Sequence, residues 1–350
     1  MMNGKYQKSE QSADHTTMYA DEAPALLEHL ANTPEMRRLA DVGMHCGCDY
    51  ASTSFYKSLS APYTRLMHSV GVARIVWHFT KDIKQTAAGL FHDIATPVFS
   101  HTIDFMNNDH MSQESTEDKT VSFIKNSEPI MLLLGKNGLA VGDVSDYHKY
   151  PIADNDTPML SADRLEYTLG NAYTVYNIKI EKLKGLYDDL MVAVNEHGAG
   201  ELCFRTFDRA KEFLEISLRN SRFYVSDEDR FLMQYLADLI RNALKTGVLS
   251  PDDLYLTENE LIGKLKGSGG TSAAWKKYTE ISAVAATAEE LRDRYCVKID
   301  AKKRYINPLV CDRGGARRIS EIDAGLKRDI DEFLDLDFGS WLSAKREREG

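Results

Sequence analysis

The sequence predicts a mainly helical fold with a small α+β region at its C-terminal end. From about residue 21, apolar residues recur at three- and four-residue spacing, which is typical of helices that bury one face. After Pro251 the segment "RYCVKIDAKKRYINPLV" (294–310) alternates and contains β-branched residues, which indicates one or two strands. We therefore expect an all-α core over 21–250, an α+β region over 251–350, and a polar, disordered segment over 1–20.

Individual helices are bounded by recognisable signals. The segment "TRLMHSVGVARIVWHFTKDI" (64–83) has an apolar helical face, and "KQTAAGLFHDIA" (84–95) predicts a buried helix that stops near Thr96-Pro97. A further helix is expected from about Ser161, and another between Ser226 as N-cap and Gly247. The Gly/Ser-rich stretch 264–275 predicts a mobile loop.

Composition excludes several classes of protein. The chain has 350 residues, of which 43% are hydrophobic, and a net charge of −10, so a broad electrostatic surface for nucleic acid is not expected. It has no apolar run long enough to span a membrane, and its polar N-terminus does not resemble a signal peptide. Five cysteines, an odd number, indicate reduced thiols. These features predict a cytoplasmic protein with no membrane partner.

Four residues are candidates for one metal site: His68, His92, Asp93 and Asp163. Taken singly, each histidine has the simpler interpretation of a hydrogen-bonded core residue, and Asp163 could favour the N-terminal dipole of its helix. Buried carboxylates, however, need a partner or a metal. Two imidazoles and two carboxylates suit one divalent ion such as Mn, Fe, Ni, Zn or Mg. Adjacent helical residues point about 100° apart, so His92 and Asp93 can share an ion only where their helix ends.

The order His…His-Asp…Asp resembles the HD-domain metal-dependent phosphohydrolases. Three segments resemble the deoxynucleoside triphosphate triphosphohydrolase branch: "YTRLMHSVGVARIV" (63–76), "LFHDIATPVFSHTID" (90–104) and "LSADRLEYTLGNA" (160–172). The likeness runs from about Arg38 to Tyr173. It implies an all-α HD-domain core and hydrolysis of a nucleotide phosphate ester or anhydride, with dNTPs as candidate substrates. It also implies a homo-oligomer.

The resemblance assigns expected roles by position. His68, His92, Asp93 and Asp163 match the metal ligands of that family. His101 and Asp104 match its catalytic histidine and the partner acid. Arg65 and Tyr167 match positions that contact the triphosphate or the sugar. The metal would act as a Lewis acid on a phosphate oxygen, and His101 could transfer a proton.

The sequence departs from the family pattern where the substrate is recognised. Ala95-Thr96-Pro97 replaces Gly-His-Gly, and Gly170-Asn171 replaces Arg-Asp. The His-Glu after the catalytic histidine is represented by Gln113-Glu114 or by an out-of-register His110. Three alternatives stay open: a nucleotide sensor with little turnover, a phosphodiesterase acting on cyclic or oligonucleotide substrates, and a dinuclear site that recruits two of His101, His110 and His148.

Overall fold

The computed structural model describes residues 14–19, 22–107, 119–312 and 315–345. These residues form a mainly helical body with two small sheets. Within them, the α-helices before the first strand are α1 Ala25–Ala31, α2 Pro34–Arg38, α3 Ser54–Lys57, α4 Arg65–Thr80, α5 Ile83–Phe91, α6 Thr102–Met106, α7 Thr120–Asn126, α8 Glu128–Lys136, α9 Val141–Val144, α10 Ala162–Thr174 and α11 Ile180–Asp188.

The remaining α-helices lie beyond the first β-hairpin: α12 Phe207–Tyr224, α13 Asp227–Lys245, α14 Glu258–Lys266, α15 Gly269–Thr279, α16 Ile319–Ile322 and α17 Ala324–Leu334. Short 3-10 turns occur at His15–Met18, Leu39–Asp41, Cys48–Tyr50, Tyr147–Lys149 and Pro251–Tyr255. The mainly helical fold with a small sheet region confirms the predicted fold class at this level.

The strands form two separate sheets. They are β1 Leu190–Val194, β2 Gly200–Phe204, β3 Val284–Thr287, β4 Cys296–Val297, β5 Leu309–Asp312, β6 Gly315–Arg318 and β7 Trp341–Ala344. One sheet has the order β1-β2-β5-β6, with β2 parallel to β5 and antiparallel pairs on either side. The other has the order β3-β7-β4 and is antiparallel.

The segment before residue 251 is not purely helical, which corrects the prediction of an all-α core over 21–250. The β1–β2 hairpin lies inside it and pairs with β5 from the C-terminal region. Arg318 reinforces this contact, since its guanidinium donates to both oxygens of the fully buried Glu201 at 2.6 and 2.7 Å. The hairpin therefore forms one sheet with β5 and β6 of the C-terminal region. The predicted boundary at 250/251 stays a prediction.

The N-terminal segment is also more ordered than the sequence predicts. Disorder is expected over residues 1–20, but His15–Met18 forms a 3-10 turn capped by Asp14. Met18 and Tyr19 are buried in the same hydrophobic cluster as residues of α4, α10 and α12. The segment is polar on average, but its two apolar side chains, Met18 and Tyr19, pack into the core and help to hold it in place. The other residues of 1–20 lie outside the described ranges.

Helix α5 ends earlier than predicted. Its last residue is Phe91, whereas the proline at position 97 predicts an end near Thr96. The end is stabilised by side chains: His92 Nδ1 contacts the Gly89 carbonyl at 2.7 Å, and Arg38 donates to the carbonyls of Ile94 and Thr96 at 3.1 and 2.7 Å. These contacts satisfy carbonyl groups at and beyond the end of the helix. His92 and Asp93 consequently lie on a turn.

The Gly/Ser-rich stretch 264–275 is helical as well, so the predicted mobile loop is wrong. It forms the end of α14 and the beginning of α15. The Thr271 hydroxyl donates to the Leu265 carbonyl at 2.6 Å, and Trp275 and Tyr278 are buried against the core. Tertiary packing of these two aromatic residues overrides the low helix propensity of glycine. Throughout the described parts of the chain, no helix combines the length and the apolar character that a membrane span requires.

Candidate metal centre and active site

Three donor atoms from three different helical elements converge on one point. His68 Nε2 lies 3.1 Å from His92 Nε2 and 2.9 Å from Asp163 Oδ1, and the His92 and Asp163 atoms are 3.7 Å apart. His68 is on α4, His92 follows α5, and Asp163 is in the first turn of α10. Within the described ranges, no other group of His, Cys, Asp and Glu side chains brings three donor atoms this close together.

The hydrogen bonds of both imidazoles fix their orientation. His92 Nδ1 contacts the Gly89 carbonyl at 2.7 Å, and His68 Nδ1 contacts Glu166 Oε2 at 2.5 Å. Since both partners are acceptors, each Nδ1 carries a proton, and Nε2 is the nitrogen of each ring that faces the point shared with Asp163. Metal-binding histidines are oriented in this way by a second acceptor. The residues therefore fit a divalent cation.

The electrostatics of the cluster also favour a cation. Burial alone would lower the pKa of His68, but the carboxylates of Glu166 and Asp163 outweigh burial and raise it to about 10. Burial alone would raise the pKa of Asp163, but the hydrogen bond to His68 and the two imidazoles keep it below the ordinary value. Asp163 is thus ionised, and positive charge at this point is stabilised.

Asp93, the fourth predicted ligand, lies beside the cluster. Its Oδ2 atom is 3.6 Å from His92 Nε2 and accepts a hydrogen bond from Arg65 Nη1 at 2.8 Å. Its Oδ1 atom accepts from the Thr96 hydroxyl at 2.8 Å. Burial would raise the pKa of Asp93, but Arg65 holds it well below the ordinary range. Arg65, predicted to contact substrate, is thus buried and paired with Asp93.

His101 and Asp104 form a second pair next to the cluster. His101 Nδ1 lies 2.8 Å from Asp104 Oδ2, and the Asp104 side chain is fully buried. Both residues belong to the start of α6, which follows a tight turn in which Phe99 and Ser100 have positive φ. Burial lowers the pKa of His101, although the hydrogen bond to Asp104 opposes this effect. His101 is therefore neutral at neutral pH and can accept a proton.

The three donor residues His68, His92 and Asp163, together with His101, face one cavity of about 190 Å³. The predicted substrate contact Tyr167 lines it, and Lys302 and Arg304 reach it from the C-terminal region. Much of its remaining wall is apolar or aromatic: Met44, Phe105, Tyr147, Phe223, Tyr224 and Met233. A phosphorylated molecule with an apolar or aromatic part would match this combination of cations and rings.

Of the residues singled out by sequence, the structure brings together His68, His92 and Asp163, with Asp93, Arg65, His101 and Tyr167 around the same cavity. His148, one of the residues that a dinuclear site could recruit, contacts Asp154 at 2.9 Å. Gln113, Glu114 and His110 lie outside the described residues. The catalytic and binding roles of the predicted residues stay predictions.

Several residues of the site were missed from the sequence. Glu166 follows Asp163 by three residues, so helical spacing could have placed both carboxylates on one face. Asp229, in the acidic first turn of α13, lines the cavity, and its Oδ1 atom accepts from the Tyr56 hydroxyl at 2.5 Å. Lys302 and Arg304 belong to the segment "KKRYINPLV" (302–310), which also resembles the family, but the sequence gave them no role, because only the tertiary fold brings them to the cavity.

Two departures from the family pattern have local explanations. A Cβ atom at Gly170 would lie 2.5 Å from the Tyr63 ring, so this helix position excludes a larger residue. The Asn171 amide donates to the Tyr224 hydroxyl at 2.7 Å, and Tyr224 itself lines the cavity. Position 170 is therefore set by packing, whereas position 171 contributes to the cavity wall.

Comparison with known proteins gives distant relatives. No family model matches the chain. The uncharacterized protein YdhJ of Bacillus subtilis is 26% identical over 245 residues, which cover 69% of this chain and 71% of YdhJ. The metal-dependent phosphohydrolase cns2 of Cordyceps militaris is 26% identical over 205 residues, which cover 59% of this chain and 55% of the fungal protein.

Solved structures resemble the chain over most of its length. A hypothetical protein from Aquifex aeolicus superposes with a TM-score of 0.63 and 16% identity, covering 91% of this chain and 92% of the other. A phosphohydrolase from Bacteroides thetaiotaomicron superposes with a TM-score of 0.61 and 14% identity, covering 94% and 97%. The three chains share one fold. At these identities the likeness shows the fold alone.

Proposed function

We propose that this chain is a metal-dependent phosphohydrolase of the HD type that acts on a nucleotide phosphate ester or anhydride. The observation that carries the proposal is the convergence of His68 Nε2, His92 Nε2 and Asp163 Oδ1 beside the His101–Asp104 pair. The name of the Cordyceps relative and the fold of the Bacteroides phosphohydrolase support a metal-dependent hydrolase at the level of the family. The substrate class comes from the sequence resemblance.

The metal would be one divalent ion, Mn, Fe, Ni, Zn or Mg, held by His68, His92 and Asp163, with Asp93 adjoining. When bound, such an ion polarises a phosphate oxygen and neutralises developing charge. Arg65 stabilises the ionised form of Asp93, so the carboxylate remains negative beside the ion. The Gly89 carbonyl and Glu166 keep the two imidazoles in the tautomer that binds metal.

Other residues that line the cavity would bind the phosphate and transfer protons. Lys302 and Arg304 bring positive charge to the cavity, where a phosphate group would be stabilised. His101 donates a hydrogen bond from Nδ1 to Asp104 and keeps Nε2 for accepting or donating a proton at the phosphate. Tyr167 and the aromatic wall would contact the organic part of the substrate.

A substrate panel tests this function. Purified chain supplied with each divalent metal is incubated with dNTPs, ribonucleotides, nucleoside monophosphates, cyclic nucleotides and short oligonucleotides. We expect release of phosphate, pyrophosphate or triphosphate that is lost in His92→Ala. Saturable nucleotide binding without any product would favour a nucleotide sensor. Product from cyclic or oligonucleotide substrates alone would identify a phosphodiesterase.

A further inference from the structure

The N-terminal segment 14–19 lies directly behind the candidate metal centre. It is tied to helix α4, since Arg74 Nη1 donates to the Thr16 carbonyl at 3.0 Å and to its hydroxyl at 3.2 Å. Met18 and Tyr19 are each 2% exposed and anchor the segment in the core. The proposed chemistry uses none of these residues, although hydrogen bonds and apolar packing both define their position.

His15 of this segment is connected to the proposed metal ligand His68 through one residue, Glu166. His15 Nε2 lies 2.7 Å from Glu166 Oε1, and the other oxygen of Glu166 lies 2.5 Å from His68 Nδ1. His15 and Glu166 are both fully buried. A continuous chain of hydrogen bonds therefore runs from the N-terminal segment to the metal-facing imidazole.

The direction of these hydrogen bonds follows from the surroundings of His15. Its Nδ1 atom is buried and has no hydrogen-bond partner among the described residues. A proton on Nδ1 would leave a buried donor unsatisfied, which is costly, so the proton lies on Nε2. His15 consequently donates to Glu166, and the carboxylate accepts.

Glu166 accepts from two further donors on its other oxygen. The Tyr63 hydroxyl lies 2.5 Å from Oε2, the oxygen that also contacts His68. His15 Nε2 is the hydrogen-bond donor to Oε1, and the buried Tyr19 side chain of the same segment also faces Glu166. Without His15, a buried oxygen would lose this donor, and the carboxylate could rotate away from His68.

Helix α4 is shaped to admit this carboxylate. A Cβ atom at Gly71 would lie 2.6 Å from Glu166 Cγ, so glycine provides the space that Glu166 occupies. This feature of α4 is independent of the hydrogen bonds. Both observations indicate that the position of Glu166 is specified from two sides, by Gly71 and by the donors around it.

We propose that His15 is a positioning residue of the metal centre. Through Glu166 it keeps the proton of His68 on Nδ1 and the lone pair of Nε2 directed at the metal. The N-terminal segment thereby sets the affinity of the chain for its metal. This inference rests on the metal site of the proposed function, but not on the identity of the substrate.

Metal titration of paired variants tests the proposal. The full chain, stripped of metal, is titrated with Mn²⁺ and in parallel with Zn²⁺ by calorimetry. His15→Phe keeps a buried ring but removes the donor, whereas His15→Gln keeps a donor. His29→Ala, which removes an exposed histidine, is the matched control. We expect His15→Phe to weaken metal binding several-fold, up to about 10-fold, because it loosens Glu166 but leaves the hydrogen bond of Glu166 to the ligating His68 in place.

The outcomes separate this inference from the proposed function. His15→Gln and His29→Ala should bind metal as the wild type does. If His15→Phe binds metal like the wild type while His92→Ala does not, His15 has only a structural role, and the metal-dependent function stands. If the wild type binds neither ion, both the function and the inference fail.

A second measurement needs no variant. Because coupling between sites is reciprocal, metal binding should strengthen the contacts of the N-terminal segment. We expect slower hydrogen–deuterium exchange over residues 14–19 of the wild type once Mn²⁺ is added, with no change in α14. Equal exchange in the presence and absence of metal would contradict the proposal.

Discussion

At the scale of single residues, the site separates two kinds of histidine. His68 is held between carboxylates, which raise its pKa to about 10. His101 is partly buried beside Asp104, and its pKa is lowered from the ordinary value of 6.5, with desolvation as the main cause and Arg304 and Arg65 adding to it. The carboxylates around His68 stabilise positive charge at that point, as a bound metal ion would supply. The surroundings of His101 suit a group that exchanges protons near neutral pH.

The lowered pKa of His101 makes a prediction about pH dependence. If neutral His101 accepts a proton, the midpoint of the acid limb of kcat/KM should lie below pH 6.5. His101→Ala should lose about 10²- to 10⁴-fold in rate while its metal content is unchanged. The profile is measured at saturating metal with the substrate found in the panel. An acid limb that lies above this pH, or that persists unchanged in His101→Ala, would contradict this role.

Asp229 also lines the cavity, and its pKa differs strongly from that of a free carboxyl group. Burial raises its pKa from 3.8 to about 7, although the hydrogen bond from Tyr56 opposes the rise. The folded state therefore binds more protons than the unfolded state between these two values. Protonated Asp229 therefore contributes to the free energy of unfolding in full below about pH 4, and this contribution is lost progressively as the pH rises to about 7.

The variant Asp229→Asn should remove this dependence, since its amide does not titrate. The free energy of unfolding of the wild type, relative to Asp229→Asn, should fall by about 2 kcal/mol between about pH 5 and about pH 7. Urea denaturation at several pH values in this range measures the difference. Parallel pH dependence of the two proteins would show that Asp229 has an ordinary pKa.

At the scale of elements, helix α10 combines packing and function. Its first turn carries Asp163, and its next turn carries Glu166 and Tyr167. Its last turns pack so closely on Tyr63 that Gly170 has no room for a side chain. Because the Tyr63 hydroxyl also donates to Glu166, a displacement of Tyr63 would shift Glu166 and with it the hydrogen bond to His68.

Two glycine-to-alanine substitutions should therefore have opposite effects. Gly263 in α14 is exposed, and a methyl group there would meet no neighbouring side chain within 4 Å, so Gly263→Ala should stabilise the protein by up to about 1 kcal/mol through helix propensity. Gly170→Ala should destabilise it by about 1–3 kcal/mol, because the methyl group overlaps the Tyr63 ring. Urea denaturation measures both, and equal stabilisation by the two substitutions would show that Tyr63 moves aside without cost.

Much of the element structure could be predicted from the sequence, because it depends on local signals. The Ser161 cap of α10 and the Ser226 cap of α13 are each encoded within a few residues. The end of α5 and the helical Gly/Ser-rich stretch could not be predicted. Both depend on side chains from distant segments, such as Arg38, or on burial in the tertiary core, as for Trp275.

At the scale of the whole molecule, the cavity is assembled from segments far apart in sequence. The metal donors come from α4, the turn after α5, and α10, and the cations Lys302 and Arg304 come from the C-terminal region. Ala301 and Ile306 flank these cations and are buried in the same cluster as α10 and α12. Packing of the C-terminal region onto the helical body therefore completes the cavity.

The same scale shows how much of the candidate site the sequence could reveal. The cost of burying adjacent His92 and Asp93, together with the family resemblance, indicated the metal donors. The sequence assigned no place at the site to His15, which contacts Glu166, or to Arg304, which lines the cavity. Their positions result from long-range contacts, which single-sequence patterns do not encode.

The metal content of Asp163→Ala tests the central claim most directly. Asp163 supplies the carboxylate of the three-donor cluster, and its removal leaves two imidazoles without an anionic partner at the ion. Elemental analysis of wild type and variant, after identical exposure to metal and dialysis, should show bound metal in the wild type and its loss in Asp163→Ala. Occupancy of the variant equal to that of the wild type would contradict the metal centre described by His68, His92 and Asp163.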